Sequence, residues 1–257
     1  MKITSMAKAG LLASALAGSV AQADTIYGLY LGAQGWNVGP EGSFESDQNS
    51  LTPTSADFSY DDETATSFYI ALEHPVPLLP NIKFRNNDMD ISGSVKGTLN
   101  FDGVTFTDTA ATSGDLTNSD YILYYEVLDN GVVSLDLGIN GKHIDGELTV
   151  QGKDIAGNPI SGTEAFDGVV PMAYASAEIG LPFTGLAVFG DFSYASYDGH
   201  TLADYQIGVE YELIDNIAFD ISVHAGYRAF ELELDDLDGI NSDLDATGVF
   251  GGVQLHF

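Results

Sequence analysis

The sequence has no cysteine, few basic residues and, beyond its first two dozen positions, no long apolar run. Without cysteine, neither a disulfide framework nor a thiol nucleophile is available. Only 8 lysines and arginines stand against 38 aspartates and glutamates, for a formal net charge of −30. Such a chain repels nucleic-acid phosphates, which excludes nucleic acids as partners. No unbroken apolar segment of about twenty residues follows Asp24, so no membrane-spanning helix is predicted there.

The first residues have the order of a secretory signal. Lys2 and Lys8 precede an apolar run over residues 9–20, and Ala21-Gln22-Ala23 supplies a small-x-small cleavage site. We therefore predict a cleaved signal peptide at 1–23. The remaining residues, 24–257, suit one barrel or sandwich domain, since such folds commonly use roughly 200 to 250 residues.

The chain after the signal alternates between apolar and polar residues with a period of two, which is typical of β-strands. The alternation is clear over 203–213, 217–227 and 249–257, lengths that allow a tilted strand to cross a bilayer. The pattern predicts an all-β fold, a closed antiparallel up-and-down transmembrane β-barrel of about ten strands, with eight or twelve as alternatives. The predicted strands are 24–37, 64–74, 82–101, 119–129, 132–150, 167–181, 185–197, 202–213, 217–233 and 246–257.

The connections alternate in length. Long loops are predicted at 38–63, 102–118 and 151–166, with shorter ones at 198–201 and 234–245, and tight turns at 129–131, 182–184 and 214–216. Outer-membrane barrels alternate in this way, with short turns in the periplasm and longer loops outside. The two chain ends would then lie on the periplasmic side.

Alternation alone does not say which face points inward, because soluble barrels put the apolar face inside and membrane barrels put it outside. Aromatic residues fall near both ends of the apolar stripe, as they do at membrane interfaces. They are Tyr27, Tyr211, Phe219 and Phe257 at one end and Tyr194, Tyr205 and Tyr227 at the other. With the signal peptide, they favour the membrane barrel over a soluble periplasmic β-barrel that binds an apolar ligand.

The chain ends in an alternating strand, 249–257, that closes on Phe257. This strand resembles the one that Gram-negative outer-membrane proteins present to their barrel-assembly machinery. Its Gly251-Gly252 pair, together with segments 74–81 and 181–185, resembles a small proteobacterial outer-membrane barrel family named for a Gly-Gly motif in this strand. The resemblance implies outer-membrane location, the assembly machinery as a partner during biogenesis, and an assembly role for Gly251, Gly252 and Phe257. It implies no activity.

With the polar stripe inside, the lumen is predicted to hold a set of charged side chains. These are Glu73, Glu126, Asp136, Glu178, Asp191, Asp204, Glu210, Glu212, Asp220 and Arg228, with Lys83, Arg85, Lys96 and Lys142 as the other bases. The interior of a barrel of eight to ten strands is nearly filled by side chains, which favours a plugged interior over an open channel. Any remaining water path would prefer cations. A register slip of one residue would reverse all these assignments.

Two polar features in the outward loops suggest other chemistry. The acidic residues after the ninth strand offer oxygen ligands for calcium, but the EF-hand spacing fails, so we predict a solvated acidic rim on which divalent cations bridge to lipopolysaccharide phosphates. They are Glu231, Glu233, Asp235, Asp236, Asp238, Asp243 and Asp245. Asp198 and His200, with Asp204 nearby, would suit a hydrolase at the barrel rim. No G-x-S-x-G or H-E-x-x-H motif supports one.

The sequence therefore predicts a non-enzymatic, porin-like integral protein of the Gram-negative outer membrane, in contact with its lipid and lipopolysaccharide. Its predicted role is structural or surface-interacting, or that of a minor cation-preferring pore. A rim hydrolase and a soluble ligand-binding barrel are the alternatives. No catalytic residue, resident metal or cofactor is predicted.

Overall fold

A computed structural model describes residues 27–46, 55–216, 218–237 and 240–257, which consist of strands and their connections. The predicted signal, 1–23, lies outside the described residues. No helix in the described part is long and apolar enough to cross a membrane. The strands are β1 (Gly28–Ser46), β2 (Ser55–Tyr60), β3 (Glu63–Glu73), β4 (Asn81–Asp88), β5 (Asp90–Phe101), β6 (Val104–Asp115), β7 (Asn118–Asp129), β8 (Val133–Lys153), β9 (Pro159–Leu181), β10 (Leu186–Tyr197), β11 (His200–Asn216), β12 (Phe219–Leu237) and β13 (Ile240–His256).

Ten of these strands form a closed ring in the order β1-β3-β4-β7-β8-β9-β10-β11-β12-β13 and back to β1. Each neighbour pairs antiparallel, and the ring is completed by β1 against β13, where Tyr30 lies opposite His256 and Trp36 opposite Phe250. This confirms the predicted closed antiparallel barrel of about ten strands. The remaining strands, β2, β5 and β6, lie outside the ring.

The two ends of the barrel differ. One end, here called the terminus end, carries the start of β1 and the finish of β13 together with the short connections after β3, β7, β9 and β11. The turn after β7 shows why these connections are tight. Asp129 and Asn130 accept backbone N–H bonds from Gly131, Val132 and Val133 through their side-chain oxygens at 2.9–3.0 Å, and Gly131 takes the left-handed conformation with φ of 75°. The opposite end is called the loop end.

Strands at the loop end are longer than predicted. Segments 38–63, 151–166 and 234–245, predicted as loops, are largely strand: β1 continues to Ser46, β8 and β9 are separated only by 154–158, and β12 continues to Leu237. Residues 47–54 lie outside the described part. At about 3.3 Å per residue, the 23-residue β9 exceeds the thickness of a bilayer even when tilted. The loop end therefore projects well past a bilayer-sized band.

The prediction of a loop at 102–118 was wrong, because β6 occupies Val104–Asp115. The predicted strand 82–101 is instead divided at Met89 into β4, in the barrel wall, and β5, which pairs with β6 and β2. These three strands extend the sheet from the loop-end half of β8. The Ser, Thr and Gly content of 102–118 resembles that of a loop, but its threonines are β-branched and favour strand once a partner strand is present.

The loop-end half of the barrel and the three strands outside the ring share one apolar core. Its buried members include Val38, Phe44, Leu99, Phe101, Phe106, Val150, Phe230 and Phe250. Phe44 holds it together by packing against Phe58 of β2 and Phe101 of β5, with ring centroids 5.1 and 5.3 Å apart. The interior of this half is therefore apolar rather than lined by the polar stripe. On β12 the inward face changes from His224 and Arg228 to Phe230, without a change of phase.

The Gly-Gly pair of β13 gives a sharp test of closure, because its two members face opposite ways. A Cβ added to Gly252 would lie 2.3 Å from His224 Nε2 and 2.5 Å from the Ala33 carbonyl oxygen, whereas one added to Gly251 would meet nothing closer than 3.8 Å. We expect Gly252→Ala to destabilise the barrel by about 1–3 kcal/mol through overpacking at the β1–β13 seam. Gly251→Ala should be close to neutral. Urea unfolding of the two variants measures this, and equal losses would contradict the described packing.

Candidate functional site

The candidate site is the barrel interior in its terminus-end half, where the strands alternate between polar inward and apolar outward residues. On β11, Asp204 and Gln206 are buried inside, while Ile207 and Val209 lie on the outer face and are 62% and 54% exposed. The inner and outer faces therefore have the phase that the sequence predicted for a membrane barrel. All ten charged residues assigned to the lumen lie on the interior face.

Asp204 lies at the centre of the interior and is 2% exposed. Its carboxylate accepts hydrogen bonds from Arg228 Nε and Nη2 at 3.0 and 2.8 Å, from Lys142 Nζ at 2.9 Å and from Arg85 Nη2 at 3.3 Å. Three cations from three different strands thus meet on one carboxylate. A bidentate arginine contact of this kind is both strong and geometrically specific.

Asp120 supplies the second carboxylate. It accepts from Arg85 Nε at 2.8 Å, and its other oxygen lies 2.8 Å from Lys142 Nζ and 2.7 Å from Asn140 Nδ2. Together the five residues Arg85, Asp120, Lys142, Asp204 and Arg228 are here called the charged septum. It joins β4, β7, β8, β11 and β12, and every member is at most 4% exposed.

Amides and hydroxyls complete the septum. Arg228 donates to Ser67 Oγ and Asn87 Oδ1, both at 3.0 Å, and Lys142 donates to Asn118 Oδ1 at 2.9 Å. Charges buried to this degree are tolerated only when they are paired and hydrogen-bonded. On the loop-end side the septum meets the apolar core directly, since the Arg228 guanidinium lies 5.0 Å from the Trp36 ring. The septum and the apolar core thus form two consecutive layers of buried side chains in the barrel interior.

On the terminus-end side of the septum lies a water-accessible cavity of about 660 Å³, here called the vestibule. It holds eight of the ten predicted lumen residues: Glu73, Glu126, Asp136, Glu178, Asp191, Glu210, Glu212 and Asp220. The other two, Asp204 and Arg228, belong to the septum. The vestibule is therefore lined mainly by carboxylates and reaches solvent between the short turns.

The inner end of the vestibule, next to the septum, is a polar cluster around Asp191. Lys83 Nζ lies 3.3 Å from this carboxylate, which also accepts from Tyr174 Oη at 2.9 Å and Gln206 Nε2 at 2.8 Å. The Lys83 ammonium also lies 5.1 Å from the centre of the Tyr69 ring. A carboxylate and an aromatic face thus share one ammonium group, an arrangement typical of amine recognition.

Two predicted placements were wrong. Lys96 is exposed on β5 rather than inside the barrel, because β5 lies outside the ring and pairs Lys96 with Asp57 and Thr109. Asp204, considered as part of a rim hydrolase, is buried in the septum and so lies away from the rim, and His200 Nδ1 accepts the backbone N–H of Asp235 at 3.1 Å.

The acidic residues of the loop end face each other in pairs across two strands rather than surrounding one cation site. Glu231 lies opposite Asp245, and Glu233 opposite Asp243, across β12 and β13. Asp235 is exposed, the side chain of Asp236 is not described, and Asp238 lies outside the described residues. In the described part, the group whose acidic ligand atoms come within 4.8 Å of one another is Glu212, Asp215 and Asp220, at the opposite end.

Sequence reasoning missed several interior residues. Of the five septum residues, four were predicted from the sequence and Asp120 was missed. Asp120 lies on the same inward face of β7 as Glu126, which was predicted. Tyr124 and Tyr174 were also missed, because tyrosine occurs on both the inner and the outer face of this barrel. Parity along each strand would have found Asp120, whereas nothing in the sequence ties Tyr174 to Asp191.

Comparisons with family models and with curated proteins found no match for this chain. Among solved structures, the transport unit of the autotransporter AIDA-I from Escherichia coli is 9% identical over 96% of this chain and 97% of that chain, with a TM-score of 0.39. A FadL homologue from Pseudomonas aeruginosa is 14% identical over 93% and 65%, with a TM-score of 0.32. The CymD monoaromatic hydrocarbon channel is 9% identical over 89% and 88%, with a TM-score of 0.35. Similarity this low supports no conclusion about function.

The septum predicts a large effect from a small change at its centre. Asp204→Asn keeps the side-chain volume but leaves three buried cations with one carboxylate, so we expect a loss of about 3–5 kcal/mol in unfolding free energy. Asp245→Asn, at an exposed position, should stay within about 0.5 kcal/mol. The single tryptophan, Trp36, contacts Arg228 and reports the unfolding by fluorescence. Equal midpoints in urea for the two variants would contradict the role given to Asp204.

Proposed function

We propose that this chain is an integral outer-membrane β-barrel with its terminus end in the periplasm, and that it acts as a closed structural or surface-interaction barrel rather than as a pore. The observation that carries the proposal is the polarity of the barrel wall. Large apolar side chains face outward around the ring, while the interior at the same level is charged. Lipid is the environment that satisfies both faces.

The outward apolar residues, here called the apolar belt, occur on every strand of the ring. The belt includes Leu31, Phe68, Ile70, Ile82, Leu123, Ile139, Ile179, Val188, Phe192, Ile207, Val209, Tyr227, Val249 and Val253. A soluble monomer rarely exposes an apolar patch of more than a few hundred Å². The soluble alternative also needs an apolar interior at this level, where the structure has the charged septum. The belt therefore favours insertion in a bilayer.

The two layers of buried side chains in the interior favour a closed barrel over a cation-preferring pore. The septum side chains are hydrogen-bonded to one another and buried, and the apolar core lies directly behind them. An ion crossing this region would have to displace both layers. The projecting loop end then offers the surface for contacts, where the facing pairs Glu231–Asp245 and Glu233–Asp243 supply carboxylates for divalent cations that bridge to lipopolysaccharide phosphates.

Two measurements on the full-length protein test the proposal. In the outer-membrane fraction, we expect a band that migrates faster in detergent gels before boiling than after. In a planar lipid bilayer, the purified barrel should give no stepwise conductance. A soluble protein without a heat shift would overturn the membrane assignment, and regular conductance steps would overturn the closed interior.

The apolar belt predicts where a charge blocks insertion. We expect Ile207→Lys, in the belt, to cost about 2–4 kcal/mol of folding free energy in lipid vesicles. Ile155→Lys is the matched control, because Ile155 is 78% exposed in the turn between β8 and β9. The folded fraction in vesicles as a function of urea measures the difference. Equal folding of the two variants would contradict a lipid-facing belt.

A further inference from the structure

We infer that the vestibule is a binding site for an aliphatic oligoamine, a short chain of ammonium groups joined by methylenes. This goes beyond the proposed function and does not rest on it, because the site requires only the folded barrel. Three features of the cavity point to this ligand: its unbalanced carboxylates, a buried histidine without a hydrogen-bond partner, and its aromatic walls.

The first feature is charge. Of the six basic residues after the predicted signal, three belong to the septum. Lys96 lies on β5, outside the ring, and Lys153 lies at the loop-end finish of β8. That leaves Lys83, which is paired with Asp191. The vestibule carboxylates of Glu73, Asp136, Glu178 and Glu210 thus face one cavity from four strands with no lysine or arginine of their own. Carboxylates crowded in this way favour a cation of high charge.

The second feature is His224, which lines the vestibule and is only 7% exposed. Its ring packs against Phe189 and Phe250, with centroids 5.9 and 6.0 Å away. Within the described residues, neither ring nitrogen has a hydrogen-bond partner, and Nε2 reaches into the space that Gly252 leaves open. The ring nitrogens are not fully enclosed by protein, so a donor in the cavity such as an ammonium group can reach the unprotonated one and bond to it.

The third feature is how the cavity already holds an amine. The Lys83 ammonium lies 3.3 Å from the Asp191 carboxylate and 5.1 Å from the centre of the Tyr69 ring. Tyr124 and Phe189 line the same cavity and offer further aromatic faces. Aromatic faces bind ammonium groups and pack against methylenes. A second aliphatic amine would meet carboxylates and aromatic faces elsewhere in the same cavity.

A single metal ion fits the vestibule less well than an extended amine. Carboxylates that face one another from separate strands across about 660 Å³ cannot all reach one ion. The described acidic group that is compact enough, Glu212, Asp215 and Asp220, lies at the rim and does not include His224. A flexible chain with several charges neutralises carboxylates on different strands at once. Because the septum closes the far side, such a ligand enters and leaves by the terminus end.

Isothermal titration of the folded full-length barrel with spermidine tests the inference. The site variant is Asp136→Asn with Glu178→Gln and Glu210→Gln. The matched control removes the same three charges from exposed positions at the loop end, as Asp243→Asn with Glu233→Gln and Glu147→Gln. Both variants have the same formal net charge, so the control measures the general attraction of cations to the chain. Heat-dependent gel migration verifies that each is folded.

We expect one saturable site in the wild type, at least tenfold weaker binding in the site variant, and a change below twofold in the control. His224→Leu, which leaves every carboxylate in place, should weaken binding roughly threefold or more. Absence of saturable binding, equal affinities in site variant and control, or displacement of spermidine by magnesium at equal ionic strength would each overturn the inference. Binding by a protein that fails the membrane-fraction test would uphold the site and overturn only the membrane assignment.

Discussion

The interior depends on one buried carboxylate, Asp204, which three cations from three strands share. A barrel wall fixes only neighbouring strands relative to each other, whereas this carboxylate also ties β4 and β8 to β11 across the lumen through Arg85 and Lys142. Arg228 reaches it from the neighbouring strand β12. Burying these charges is costly, so the arrangement is stable only when every donor finds its acceptor. The asparagines and serines around it complete that requirement, and they fix which side chains can occupy the centre of the barrel.

From this layer the interior divides into two environments. Toward the loop end it is apolar and packs against β2, β5 and β6, and toward the terminus end it is acidic and open to water. The guanidinium of Arg228 forms the boundary, with its charge on Asp204 and its face against Trp36. The same strands present an apolar outer surface at the level where the interior is charged. The interior is therefore closed in the middle of the barrel, and only the acidic cavity at the terminus end can admit a ligand.

Much of this was predictable from alternation alone. Over 203–213 and 249–257 the period of two gives both the strands and the faces correctly, because each position there is either clearly apolar or clearly polar. The prediction failed where composition misleads. Residues 102–118 are rich in Ser, Thr and Gly, and their strand state depends on distant partners in β5 and β8. The stagger between strands decides which charges meet at Asp204 and which lie in the vestibule. This stagger cannot be predicted from the sequence of any one strand.

Accessibility of single cysteines tests the divided interior most directly, since the natural chain has none. Ser193→Cys places a thiol beside the septum, where Ser193 is 1% exposed and accepts from Asn140, which also donates to Asp120. Ser176→Cys places one in the vestibule wall. With a water-soluble maleimide, we expect rapid labelling at 176 and labelling at 193 only after unfolding. Equal labelling rates in the folded barrel would show that water passes the septum and would contradict a closed interior.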